Sequence, residues 1–563
     1  MKSHNFFKKL SFCGLLFLFM LLSSCSNNPA DNPNGNDNPT INDPIDDNDD
    51  VDSDVNEDED KDDEKEDIEL VKDEEGFYKV DKKDLSFGNN SSSNITYESE
   101  IDYETSTNLR LYENGNQIPL YLVKTNGSQT FTQNNYSLAN NSVGYVRADG
   151  KINLVLQTNF TLIRGITIRP LEKEIPYEID QDKRLIHFSI EEAGQYTIEF
   201  RTNATLHLFV DRTDLYKDKP KENLMVFEKG LHTKDNDSRI NSNSKIYLNS
   251  NTNVYIEYGA IIEGGFVIDG KTNINIYGGG IISGANFVRD AATGQNFIPW
   301  EISNSSNIRI EGITNLDPAG WCYNLYFSHD LYLDNIKIIS SRANGDGVSV
   351  QSCQNVSVSN SFVRSWDDSL VVKNYPVWNS DKEGYTNNIH FENCLIWTDL
   401  AQSLEIGFET IGDVMENIYF KDITILHANH KAAISIHNAN NSNVRNVHYD
   451  NIVIEDASPG RGDGNRSLIE INTLFSTTWS TNHKVTALGE INDIYLNNIT
   501  VLDGNSDLEV NILGCIDNRE AYKGSKHYVN GVHFNNVVIK GEKLSEDYKY
   551  LSINEYTSDI TFE

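Results

Sequence analysis

The chain has 563 residues, 84 Asp and Glu against 47 Lys and Arg, a net charge of −37, and 38% hydrophobic residues. A field of that sign opposes a nucleic-acid partner, whose phosphates need a basic surface, and suits a neutral or weakly charged one. The length exceeds what one ordinary core supports, so the chain reads as several domains, or as a small domain joined to a long repetitive one.

In chain order, residues 1–25 form a secretory signal, with Lys2, Lys8 and Lys9 before an apolar run from Leu10 to Leu22 that is too short to cross a bilayer. The ending Leu22-Ser23-Ser24-Cys25 resembles the lipobox of bacterial lipoproteins. That resemblance implies lipidation of Cys25 and a protein anchored at the bacterial outer membrane or cell surface. Residues 26–76 hold 22 Asp and Glu and three Lys, and like charges with so few apolar residues predict an extended, disordered tether.

From 77 to 215 short alternating stretches such as Leu109-Leu111, Ile118-Leu122 and Tyr196-Phe200 alternate with Asn/Gly/Ser clusters, and no sustained helical period occurs. The pattern predicts a β-sandwich. Its last part, Gly194 to Asp211, reads as one hairpin followed by a connector, with no identifiable chemistry. Cys322, Cys353, Cys394 and Cys515 show no metal-ligand spacing and read mostly as small buried apolar residues.

Beyond about residue 240 the chain repeats. An alternating strand, a polar pair containing Asn and a second apolar strand recur, with first apolar residues at 308, 331, 356, 389, 418, 447, 494 and 532. Leucine-rich repeats would add a helical segment to each unit, and propeller blades would need four strands. The fold expected is therefore all-β: a sandwich followed by a right-handed parallel β-helix over residues 240–563.

In such a solenoid, residues one coil apart in sequence become neighbours in space. Asp346 precedes one strand, and 21 residues later Asp367-Asp368 precedes the next, so three carboxylates converge. Glycosidic hydrolysis uses that chemistry, with one carboxyl held protonated by its neighbours and another ionised to activate water. Asp367 and Asp368 can act together only if the backbone bends between them, since neighbours in a regular strand face opposite sides.

An N-G-D-G strand followed by a D-D strand on such a solenoid resembles the pectinase-like inverting glycoside hydrolases: the polygalacturonases of family 28 and the dextranases and isopullulanase of family 49. The preceding sandwich is similar to the family 49 arrangement. The resemblance implies Asp367 as general acid and Asp346 and Asp368 as the holders of the attacking water. Polygalacturonases also carry a His-Gly in the next coil and an Arg-x-Lys in the one after. Here Gln402 replaces that His, and Ser435 and His437 stand at the cationic pair. A substrate carboxylate would lose its partners, so a neutral glycan is expected.

Lys373, Gln402, Glu405 and His437 are candidate sugar ligands, and Trp321, Trp366, Trp378 and Trp397 are candidate stacking platforms. No cofactor or metal is expected, and the chain should act as a monomer on a polysaccharide. The function expected is hydrolysis of a neutral α-glucan, with pectin hydrolysis of the polygalacturonase type as the alternative. A lyase or epimerase would need a basic residue and usually calcium beside a uronate. A noncatalytic glycan-binding protein would show aromatics without converging acids.

Overall fold

The computed structural model describes residues 70–88, 94–98, 101–126, 138–162, 165–201, 204–290, 293–375, 384–461, 464–476 and 486–563. The expected signal with Cys25, most of the expected tether and Trp378 lie outside the described residues. Lys72–Glu563 forms one compact unit.

The eight repeated positions stack in a single parallel register, Ile308 on Leu331, then Val356, Ile389, Ile418, Val447, Ile494 and Val532. Coils of this kind build a 20-stranded and an 11-stranded sheet, and the chain is a parallel β-helix from Leu224 onward. Inward Ile, Val, Leu and Phe side chains form one continuous core. Aromatic residues in it stack rung on rung, Phe391 on Phe420 at 5.0 Å and Phe420 on Tyr449 at 4.9 Å.

The repeated Asn has a physical cause. Asn307, Asn355, Asn388, Asn417 and Asn446 all adopt φ between 52° and 60°, a left-handed bend that Asn tolerates better than other residues with a side chain. Their amides bond the coil below, Asn388 to Asn355 at 2.9 Å and Asn355 to Asp330 at 2.9 Å. A second ladder at the next bend runs from Asn536 through Asn498 to Asn451. The polar residues between two apolar strands therefore both make the turn and satisfy it.

Upstream, among the described residues, a six-stranded and a five-stranded sheet pack face to face around Leu111, Leu154, Ile186, Ile198 and Leu208. Gly194–Phe200 and Thr205–Asp211 form the expected hairpin. That hairpin is not inert, since it docks the sandwich onto the solenoid. Phe209 joins a cluster with Ile281, Leu316, Ile339 and Phe362, and Asp211 pairs with buried Lys337 at 3.1 Å. His427 of the solenoid lies between Glu199 and Asp456, at 3.0 and 2.9 Å. Cys322, Cys353 and Cys394 are buried free thiols, and Cys515 is half-buried.

Candidate active site

The strand Val348–Gln351 pairs with Leu370–Asn374, which pairs with Leu404–Thr410, then Ile434–Asn438 and Ser467–Thr473. Inward residues of these strands feed the core, so alternate residues form an outward floor. The carboxylates stand at the turns that enter the first two strands. The register aligns Val348 with Leu370, so Asp346 lies against Asp368, and Asp367 lies one residue further into the turn. Regular strand ends at Ser365 and resumes at Leu370, and the bend between them lets both aspartates face the site. Gly347 allows the coils to close here, since a Cβ on it would collide with the Ser369 carbonyl oxygen.

Lys373 is the centre of the cluster. Its ammonium lies 3.9 Å from Asp346, 3.7 Å from Asp368 and 3.3 Å from Glu409. The carboxyls of Asp346 and Asp368 are thus close enough to flank one glycosidic bond, less than about 8 Å apart through their common cation. Asp346 also accepts from Ser349 at 3.4 Å, while its Oδ1 is buried with no hydrogen-bond partner. Asp368 accepts from the Gln402 amide at 3.3 Å, and Asp367 accepts from the Asp368 amide at 3.1 Å.

Burial dominates the electrostatics. It drives Asp346 well above the usual carboxylate range, helped by Asp367 and opposed by Lys373. It carries Asp368 up to about 8 against the pull of Lys373. Asp367 is also raised by burial, although Lys373, the Asp368 and Asn344 amides and Arg289 pull it down. Burial disfavours the Lys373 cation, but Glu409, Asp368 and Asp346 outweigh it and hold the ammonium firmly charged. The cluster can therefore keep one carboxyl protonated beside another that ionises, which is the division of labour acid–base chemistry requires.

The other expected site residues divide into three groups. Trp321 is half-buried beside the cluster, 5.7 Å from the Lys373 ammonium and 6.2 Å from Tyr375, in a position to flank a sugar. Gln402 reaches Asp368 through its backbone amide. The remaining assignments need correction. Lys373, only 7% exposed and held by three carboxylates, is an internal counter-ion rather than a sugar ligand. Glu405 is fully buried, accepts from Ser435 and bonds His437 at 2.9 Å, while the other ring nitrogen of His437 bonds Glu470 at 3.0 Å. With both partners saturated, Glu405 and His437 are tied into the floor itself rather than free to bond a sugar. Trp366 is fully buried against Leu400, so neither ring face is free for a pyranose. Trp397 lies in the seam with the sandwich, under Arg364 at 3.9 Å and beside His427 at 4.2 Å, away from the carboxylates.

Sequence patterning missed Glu409, Glu470 and Arg289. A register shift after Val372 places two extra residues opposite Lys373, and this bulge brings in Glu409, which no regular spacing could point to. Glu470 was accessible from alternation in Ser467–Thr473, since it pairs with Ser435 on the outward face. Arg289 arrives from a connection two coils earlier, where it bonds the Ala343 carbonyl oxygen at 2.8 Å.

With this geometry in view, comparison with known proteins decides the family: the family model "Glycosyl hydrolases family 28" matches residues 220–545. The chain belongs to that family. It is 24% identical over 212 residues to "Exopolygalacturonase B" of Aspergillus niger, covering 33% of this chain and 45% of that protein. The chain thus matches less than half the length of that curated relative. Among solved structures it is similar to "Dex49A from Penicillium minioluteum", with a TM-score of 0.50 and 14% identity over 85% of this chain and 97% of the other. At that identity the likeness is one of fold, and it extends across sandwich and solenoid together.

Proposed function

We propose that this family 28 chain hydrolyses glycosidic bonds of a neutral polysaccharide, an α-glucan such as dextran, by an inverting acid–base mechanism. Asp367 donates a proton to the leaving oxygen. Asp346 and Asp368 hold and deprotonate the attacking water, for which the unpartnered Asp346 Oδ1 offers an acceptor. Lys373 keeps these two carboxyls together and favours ionisation of one of them.

The observation that supports a neutral substrate is the state of the two cations on the floor. Lys373 is shared among three carboxylates, and His437 is held between Glu405 and Glu470. A uronate would find neither cation available, and it would face the buried acids around them. Polygalacturonase-type hydrolysis is the second reading, favoured by the position of Arg289 beside Asp367 and by the name of the Aspergillus relative. Incubation with dextran, pullulan and polygalacturonate, with new reducing ends as the readout, separates the two. Release from a neutral glucan is the expected result, and efficient cleavage of polygalacturonate alone would overturn it. We place the enzyme at the bacterial cell surface or outer membrane, exported and lipid-anchored through Cys25, as the sequence of residues 1–25 suggests.

A further inference from the structure

The turn that carries Asp346 is tied to an earlier segment of the chain by two arginines working in opposite directions. Arg289 donates from its Nε to the Ala343 carbonyl oxygen at 2.8 Å, and from its guanidinium to the Asn344 side-chain oxygen and to the Gln295 carbonyl oxygen. Arg342 reaches back, donating to the carbonyl oxygens of Phe287 and Ala285. The segment that holds Arg289 is itself braced by Phe287 stacked on Phe297, ring centres 3.7 Å apart.

What this clasp fixes is the residue between the two arginine anchors. Asn344 has φ of 55°, a left-handed conformation that costs energy for any residue with a side chain. Its side chain is held by Arg289, and its backbone amide faces the Asp367 carboxyl and favours the ionised form. The next residue, Gly345, accepts from the Asp367 amide at 3.4 Å. Ser340, at the start of the turn, donates to the Gly345 carbonyl oxygen and accepts from the Trp366 amide at 3.0 Å. The two turns bearing the acids are therefore locked to each other through Gly345 and Ser340, and Arg289, holding Ala343 and Asn344 beside them, is the outer bolt.

We infer that Arg289 is a positioning residue for the general acid, acting through the Ala343–Asn344 turn to hold the Asp367 carboxyl in line with the leaving oxygen. The charged groups facing Asp367 are Asp368 beside it, Asp346 from the opposed turn, Lys373 from the strand and Arg289 from the earlier coil. Arg289 thus has two separable effects, a mechanical one through its fork of hydrogen bonds and an electrostatic one through its charge. A lysine can supply the charge but not the fork.

The inference rests on the assignment of Asp367 as the acid, so that assignment is tested first, with the full chain on dextran. Turnover by the parent and its loss in Asp367→Asn establish the reading independently of Arg289, and the opposite result removes both. Arg289→Met should then lower kcat about tenfold, with KM unchanged within about twofold. It should also move the alkaline limb of the kcat profile up by about half a pH unit, because a cation that favoured the ionised acid is gone. Arg289→Lys should lower kcat similarly while leaving the limb in place. Arg342→Met cuts the reciprocal bonds and spares the Arg289 charge, so it should also lower kcat without moving the limb, and it serves if Arg289→Met does not fold by circular dichroism. Parent-like kcat in Arg289→Met, a loss of kcat with no movement of the limb, or a rise in KM alone would each overturn the inference. The last would mark Arg289 as a substrate ligand.

Discussion

Replacing Lys373 with Met tests the arrangement at its centre. The ammonium lies 3.7 Å from Asp368 and 3.9 Å from Asp346. With the effective dielectric that suits buried sites, one pair at such a distance is worth about 4 kcal/mol, or about three pKa units. Water entering the space and relaxation of the carboxylates recover part of that, leaving an expected rise of about two units in the pair that must ionise to deprotonate water. The sign follows from the charge. Without the cation the ionised form is less favourable, the pKa rises, and the acidic limb of the rate profile moves to higher pH.

Asp368 already stands near 8 with Lys373 in place, so the parent's acidic limb should lie above the ordinary carboxylate range. Initial rates of reducing-end release, measured between about pH 4 and pH 10, would show the limb directly. At a pH below both limbs the variant should be slower by about a hundredfold. Lys373→Arg, which keeps the charge, should move the limb far less. A Lys373→Met enzyme with the parent's limb and only a raised KM would refute the reasoning and return Lys373 to a sugar-binding role.

Four further outcomes are expected. Asp367→Asn should abolish turnover with the melting temperature preserved, because an amide cannot protonate the leaving oxygen; retention of most activity would show the acid to be misassigned. Turnover of dextran should change less than about twofold between low ionic strength and about 0.15 M salt, since a neutral chain is not repelled by the acidic surface, whereas a polyuronate should be helped by salt. His437 is disfavoured as a cation by burial, yet Glu405 and Glu470 raise it to about 10. Its stabilisation is therefore complete below about pH 6.5 and fades as the pH climbs through about 10, so thermal melts should show a steeper loss over that window in the parent than in His437→Gln. Cys25→Ala, expressed in a bacterial host, should move the protein from the membrane fraction to the soluble exported fraction, and continued membrane association would refute the lipid anchor.

The solenoid was legible because its constraint is periodic. Alternating apolar residues and a left-handed Asn recur in every coil, and both are needed by the coil itself. The carboxylates were legible for the same reason, since they sit one coil apart in a repeat already aligned, although the register is Asp346 to Asp368 rather than Asp346 to Asp367. What escaped were the side chains whose surroundings are set by departures from the repeat. Glu409 is aimed by a bulge and Arg289 by an irregular connection, while Lys373, itself placed by the repeat, has its role set by the number of acids that converge on it. Trp366 and Trp397 failed differently. Nearness in sequence to the acid turn says nothing about which side of a wall a residue faces, and Trp366 and Trp397 point into protein.

The sandwich bears on the same question from behind the site. The strand Phe362–Ser365 delivers the chain into the turn that holds Asp367 and Asp368, and its outer face is covered by the sandwich hairpin. Phe209 and His207 pack on Phe362 at 5.3 and 5.1 Å, and Arg364 donates to His207 at 3.1 Å while also bonding Asp399. His207 is fully buried, and burial together with the neighbouring Arg364 drives it well below its usual range, so it meets the guanidinium as a neutral acceptor. Arg364 is thus a buried cation whose partners come from both layers, and such a group is costly once either partner is lost. An edge so constrained has little freedom to shift the acid turn, and catalytic geometry tolerates errors well below one ångström. The hairpin that carried no recognisable chemistry in the sequence is the outer support of the strand that leads into the proposed acids.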